Sequence, residues 1–152
     1  SPVVKNYEDK PEMSAKPLAD YTIGAIESGE YEFIAMNFAN MDMVGHTGNF
    51  TAAQKAVSVV DGEIERIIKV LIKHGGQAVI TADHGNIEEM IDPDSGEPDT
   101  EHSVGPVPFI VINSSLKIPH KLPDGKLANV APTILKMMGI AKPAEMTAKS
   151  LI

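Results

Sequence analysis

Apolar positions along this chain follow two periods. Leu18, Tyr21, Thr22, Ala25 and Ile26 recur at helical spacing. Ser14 stands ready as N-cap, Pro17 falls in the tolerated first turn, and Ser28-Gly29 ends the pattern. Residues 31–39 form a short, mostly apolar run that reads as a buried strand. Residues 40–49, rich in Gly and Asn, read as a loop. Thr51 and Gln54 make a capping-box pattern for a long helix to about Lys73, striped by Ala53, Ala56, Val57, Val60, Ile64, Ile67, Ile68, Leu71 and Ile72. Gly75-Gly76 stops it. Residues 77–81 and 108–113 are two more buried strands, separated by a polar, acidic loop at 92–101. Residues 127–138 predict a last helix closed by Gly139, with Pro132 near its start. Strands alternating with helices predict an α/β fold: a three-layer sandwich around a mainly parallel sheet, with ligands at the carboxyl ends of the strands.

The 152 residues are 43% hydrophobic and 22% charged, enough for a core and too apolar for disorder. A net charge of −8 argues against nucleic acid or an anionic membrane as partner. The absence of cysteine excludes disulfides, thiolate metal sites and cysteine nucleophiles, and fits a cytoplasmic protein. No apolar run reaches the roughly 20 residues of a membrane span, and no signal peptide is recognisable. The start, Ser1-Pro2-Val3-Val4, reads as a chain entering mid-fold.

The chemistry concentrates at Asp42 and His46, Asp83-His84-Gly85-Asn86, and Glu101-His102. Carboxylate and imidazole together suit Mn²⁺ or Zn²⁺, and paired ions suit displacement at phosphorus. Each stretch also has a plainer reading. Asp42 and His46 could be a solvated acidic loop, Asp83 a helix cap beside a surface His84, and His102 a satisfied lone histidine. His74 and His120 read as solvent-facing, and the methionines as packing. No nucleophile stands out: Thr47, Thr81 and Ser103 flank the candidate ligands, but none opens a helix straight after a strand. Arg66 is the only arginine, too few for the forks that hold a phosphorylated acid.

Asn40-Met41-Asp42-Met43-Val44-Gly45-His46-Thr47-Gly48, Thr81-Ala82-Asp83-His84-Gly85-Asn86, and Thr100-Glu101-His102-Ser103 with Pro106-Val107-Pro108, taken in this order, resemble the cofactor-independent phosphoglycerate mutases of the alkaline phosphatase superfamily. Lys10-Pro11-Glu12-Met13-Ser14-Ala15 and Glu145-Met146-Thr147-Ala148-Lys149-Ser150-Leu151 resemble that family too, with Ala148 where Gly is expected. The resemblance implies interconversion of 3- and 2-phosphoglycerate through a phosphoserine, without 2,3-bisphosphoglycerate. It implies two divalent ions, Mn²⁺ first, with Zn²⁺, Co²⁺ and Mg²⁺ as alternatives. Asp42, His46 and His102 would hold one ion, and Asp83 and His84 the other. The family's nucleophilic Ser, active-site Lys and inserted arginine-bearing domain match nothing here. The expectation is therefore the C-terminal part of an alkaline-phosphatase-like domain, truncated on its N-terminal side, inactive alone and open to self-association. The parent would be a cytoplasmic monomer acting on phosphoglycerate. Alternatives are a phosphopentomutase, a phosphomonoesterase, or a non-catalytic metal-binding module that needs a partner chain.

Overall fold

A computed structural model describes residues 1–113 and 121–152. The chain forms two compact units. The first comprises Ser1–His74 and His84–Val107, the second Gly75–Asp83 and Pro108–Ile152. The solvent-facing reading of His120 lies outside the described residues.

The first unit is helical. Helix α1 (Ala15–Ser28) ends at Gly29, whose φ of 66° is the left-handed conformation that a helix C-terminus favours in glycine. Its lone buried hydroxyl, Thr22, bonds back to the Leu18 carbonyl and lies 3.3 Å from the sulfur of Met36. Helix α2 (Asn40–Gly45) occupies what the sequence reads as loop. Its entry is pinned by buried Asn40, whose amide donates to the Pro11 carbonyl at 2.8 Å. Helix α3 (Phe50–Lys73) is capped by Asn49, not by the expected Thr51 capping box. The Asn49 side chain accepts from the Ala52 N–H at 3.0 Å, and its amide donates to Glu8 at 2.9 Å. The core gathers Met13, Val44, Ala52, Ala53, Ala56 and Met90, with Tyr7, Ala39, Met43 and Ile87 packed against it. Small residues on α3 let α2 approach closely, and the flexible methionines fill the remaining gaps. Arg66 bridges Asp20 of α1 and Glu63 of its own helix, so the one arginine serves as a structural tie.

The second unit holds β1 (Ala78–Thr81) and β2 (Phe109–Ile112), which pair antiparallel with Ala78 opposite Ile112 and Thr81 opposite Phe109. The last predicted helix divides into a short 3₁₀ turn (Leu127–Asn129) and α4 (Val130–Met137). Pro132 sits in the first turn of α4, where its missing N–H costs nothing. Fully buried Thr133 accepts from the Leu151 N–H at 3.0 Å, and Asn129 donates to the Lys149 carbonyl at 2.7 Å, docking the chain end.

The mainly parallel three-layer sandwich is thus corrected: the described sheet has two strands and is antiparallel. Apolar runs mark a segment for burial, but ladder direction depends on how the connection returns. Here the excursion between β1 and β2 carries no crossover helix, and it brings β2 back the opposite way. Residues 31–39, expected as a buried strand, form no strand: a bend falls at Glu32, and Ile34, Met36 and Phe38 are half-buried while Phe33, Ala35 and Asn37 are exposed. That is a strand-like alternation with no ladder partner among the described residues.

Candidate metal centre

Asp42 and His46 share one face because α2 and the turn that prolongs it place them one helical turn apart, with the His46 N–H donating to the Asp42 carbonyl at 3.1 Å. Thr47 and Gly48 then close the turn. The Thr47 hydroxyl donates to the Val44 carbonyl at 2.6 Å, and Gly48 adopts φ 69°. The i, i+4 spacing was itself a helical signal, masked by the surrounding Gly and Asn.

His84 enters from the end of the β1 connection and His102 from the far side of the acidic loop. That loop folds back on itself: the Gly96 N–H donates to the Asp92 carbonyl at 2.8 Å, and Ile91 pairs with Pro98. The return brings Ser103 opposite Gly85 in an isolated antiparallel bridge, with the Ser103 N–H donating to the Gly85 carbonyl at 3.0 Å. The His84 and His102 rings stack with centroids 3.7 Å apart and 20° between planes.

Four side chains converge. Asp42 Oδ1 lies 3.2 Å from His46 Nε2, 3.2 Å from His102 Nε2 and 4.0 Å from His84 Nε2. The Nε2 atoms of His46 and His102 are 3.1 Å apart. Asp42, His84 and His102 each offer a ligand atom within 4.8 Å of the others. Asp83 belongs to the second unit and is described with β1.

Two of the rings have their protons committed elsewhere. His46 Nδ1 is 2.5 Å from the Thr100 carbonyl and His84 Nδ1 3.3 Å from the Gly85 carbonyl. A carbonyl only accepts, so each Nδ1 donates to it, and that bond turns each Nε2 toward Asp42. A cation between His46 Nε2 and Asp42 Oδ1, whether a proton or a metal ion, holds the two atoms at 3.2 Å. Donors about 2.0 Å from a tetrahedral ion stand roughly 3.3 Å apart. The Asp42–His46–His102 triangle, with edges of 3.1 and 3.2 Å, has that size. The donor set therefore fits a borderline divalent ion.

Support comes from Asn86 and Ser103, which the sequence places in the motifs without giving them this role, and from Glu88, which it does not mark. Asn86, 5% exposed, donates from Nδ2 to Asp42 Oδ1 across 3.4 Å. Its own Oδ1 is buried without a partner among the described residues, because it abuts Gly45, where a Cβ would stand 2.0 Å away. The Glu88 carboxylate accepts from the Asn86 N–H at 2.8 Å and from the Ser103 hydroxyl. The Ser103 hydroxyl holds Glu88 below its ordinary 4.5, against some desolvation. Backbone N–H groups and His84 add smaller pulls in the same direction. A carboxyl with a depressed folded pKa stabilises the fold above its unfolded pKa, and that contribution disappears as pH falls through the folded value. Carboxyl-carbon NMR titration is expected to show Glu88 titrating below 4.5 in the wild type and moving upward in Ser103→Ala.

Of the remaining histidines, His74 is solvent-exposed at the end of α3, with Nδ1 2.9 Å from the Val70 carbonyl. No helix among the described residues is long and apolar enough to cross a membrane.

Comparison with known proteins agrees with this geometry. Residues 1–142 match the family model described as the metalloenzyme superfamily. Over its whole length the chain is 57% identical to 2,3-bisphosphoglycerate-independent phosphoglycerate mutase 2 of Methanosarcina barkeri, covering 29% of that protein. It is 50% identical to the corresponding mutase of Rhodopseudomonas palustris, again covering 29%. Among solved structures, Leishmania mexicana phosphoglycerate mutase at low cobalt concentration superposes with a TM-score of 0.87 at 31% identity, over 96% of this chain and 29% of that one. The chain therefore spans less than a third of the relatives it matches.

Proposed function

The chain belongs to the metalloenzyme superfamily, and on that premise we propose that it is the metal-holding segment of a cofactor-independent phosphoglycerate mutase. The convergence of Asp42, His46, His84 and His102 carries this reading. It is supported by identity to mutases along the entire chain.

In this reading Asp42, His46 and His102 hold one divalent ion, Mn²⁺ first. Asp83 and His84 contribute to a second, together with groups from the rest of the protein. Bound ions supply Lewis-acid stabilisation of charge on phosphoryl oxygens. The chain's own residues do the orienting. The Thr100 and Gly85 carbonyls fix the tautomers of His46 and His84, and Asn86 steadies the Asp42 carboxylate. The phosphoryl group passes between the two glycerate hydroxyls by way of a serine outside these 152 residues, and arginines outside them grip the substrate. The setting is cytoplasmic.

The isolated chain is expected to gain thermal stability with Mn²⁺. Binding to the folded state alone at 100 times Kd contributes about 2.7 kcal/mol. With 3-phosphoglycerate and Mn²⁺ it is expected to give no 2-phosphoglycerate by phosphorus NMR. Turnover would place the nucleophile within these residues and overturn the division of labour.

A further inference from the structure

We propose that Glu88 is a positioning residue of the metal centre: its carboxylate ties the segment carrying His84 to the segment carrying His102 and so fixes the spacing of the two imidazoles. The inference rests on the metal-centre reading above and assigns a role to a side chain that offers the ion no donor.

The geometry is compact. One oxygen of Glu88 accepts from the Asn86 N–H at 2.8 Å, two residues after His84. The other accepts from the hydroxyl of Ser103, the residue after His102. Between these ties runs the Gly85–Ser103 bridge, with its 3.0 Å backbone hydrogen bond. The two strands are thus joined once through the backbone and once through a carboxylate. Hydrogen bonds to an ionised acceptor are roughly twice as strong as neutral ones. The joint lies immediately beside the stacked His84 and His102 rings.

Gly85 completes the clamp. A Cβ at that position would meet Glu88 Oε1 at 2.0 Å and Ser103 Oγ at 2.1 Å. The carboxylate can cross from one strand to the other only because the backbone beneath it is bare. Without the tie, the Gly85–Ser103 bridge remains to join the backbone beside His84 to that beside His102, and the rings keep their stacking and their contacts with Asp42.

Co²⁺ serves as probe, since its visible spectrum reports coordination geometry independently of catalysis. Co²⁺ titrations of the wild-type 152-residue chain, Glu88→Ala, Glu88→Gln and Ser103→Ala are compared with their thermal melts. Failure of the wild type to bind Co²⁺ removes the metal-centre reading, and the proposal with it. With a binding wild type, Glu88→Ala is expected to weaken Co²⁺ about 10–100-fold, the loss typical of an outer-shell partner, and to alter the spectrum. Glu88→Gln is expected to remain near wild type, because its carbonyl still accepts from the Asn86 N–H and its amide can donate to Ser103. Should Glu88→Ala fail to fold, Ser103→Ala, which cuts only one tie, carries the test with a smaller loss in the same direction. A Glu88→Ala protein that melts lower yet binds Co²⁺ with wild-type affinity and spectrum would overturn the proposal. So would a Glu88→Gln protein as weak as Glu88→Ala, since charge and not the tie would then be responsible.

Discussion

Replacing Asp42 by Asn is expected to reduce Mn²⁺ and Co²⁺ affinity by more than about 100-fold, beyond the range seen for outer-shell partners alone. Asp42 Oδ1 is the shared vertex of the centre, facing His46, His102, His84 and the Asn86 amide. Asparagine keeps the shape but removes the negative charge that offsets the ion. It also leaves the Nε2 atoms of His46 and His102, 3.1 Å apart, facing a neutral oxygen. Because the side chain is half-buried and its volume is conserved, the metal-free protein should melt close to wild type. Calorimetric titration beside a His74→Ala control, remote in role and solvent-exposed, separates site chemistry from general damage. Wild-type affinity in Asp42→Asn would remove the metal centre from consideration.

Gly45→Ala is expected to destabilise the protein by about 1–3 kcal/mol, the usual cost of overpacking. Inside a helix the same substitution would ordinarily add up to roughly 1 kcal/mol of stability. Sterics decide the sign. The new methyl would stand 2.0 Å from Asn86 Oδ1 and 2.9 Å from Asn86 Cγ, so Asn86 must leave its place. Asn86 is 5% exposed and bonded toward Asp42, and its displacement strands buried polar groups. Metal affinity should fall with stability, since α2 carries both Asp42 and the turn to His46. Gly24→Ala and Gly62→Ala supply the contrast. Both positions lie within helices with nothing near the added methyl, and both variants should be slightly more stable in the same denaturant titration. Adding Asn86→Ala to Gly45→Ala should recover part of the loss. No recovery would show that the clash with Asn86 is not the cause.

The helices were largely legible. Leu18, Tyr21, Thr22, Ala25 and Ile26 announced α1, and the stripe from Ala53 to Ile72 announced α3, because side chains repeating every 3.6 residues must share a face whatever that face meets. The ends were less so. Asn49 and not Thr51 caps α3, a choice made by the 2.9 Å bond from Asn49 to distant Glu8. The turn at α2 was hidden because its stability comes from the buried Val44 and the Asn40–Pro11 bond, not from local propensity. The run at 31–39 reads as a buried strand yet joins no ladder among the described residues, because pairing is a property of two segments and no single run encodes it.

By itself, the sequence determined which residue types could hold a metal, since Asp42, His46, Asp83, His84 and His102 carry their donors wherever the chain takes them. It also determined the family, through the order of its motifs. Only the tertiary structure decided that β2 returns antiparallel to β1, and that His84 stacks on His102 beside Asp42. It alone brought Asn86 and Glu88 into the centre's support. The physical reason is the same in each case. A donor atom is local chemistry, whereas an approach of about 3 Å between residues tens of positions apart is set by loops, bare glycines and the burial that closes them.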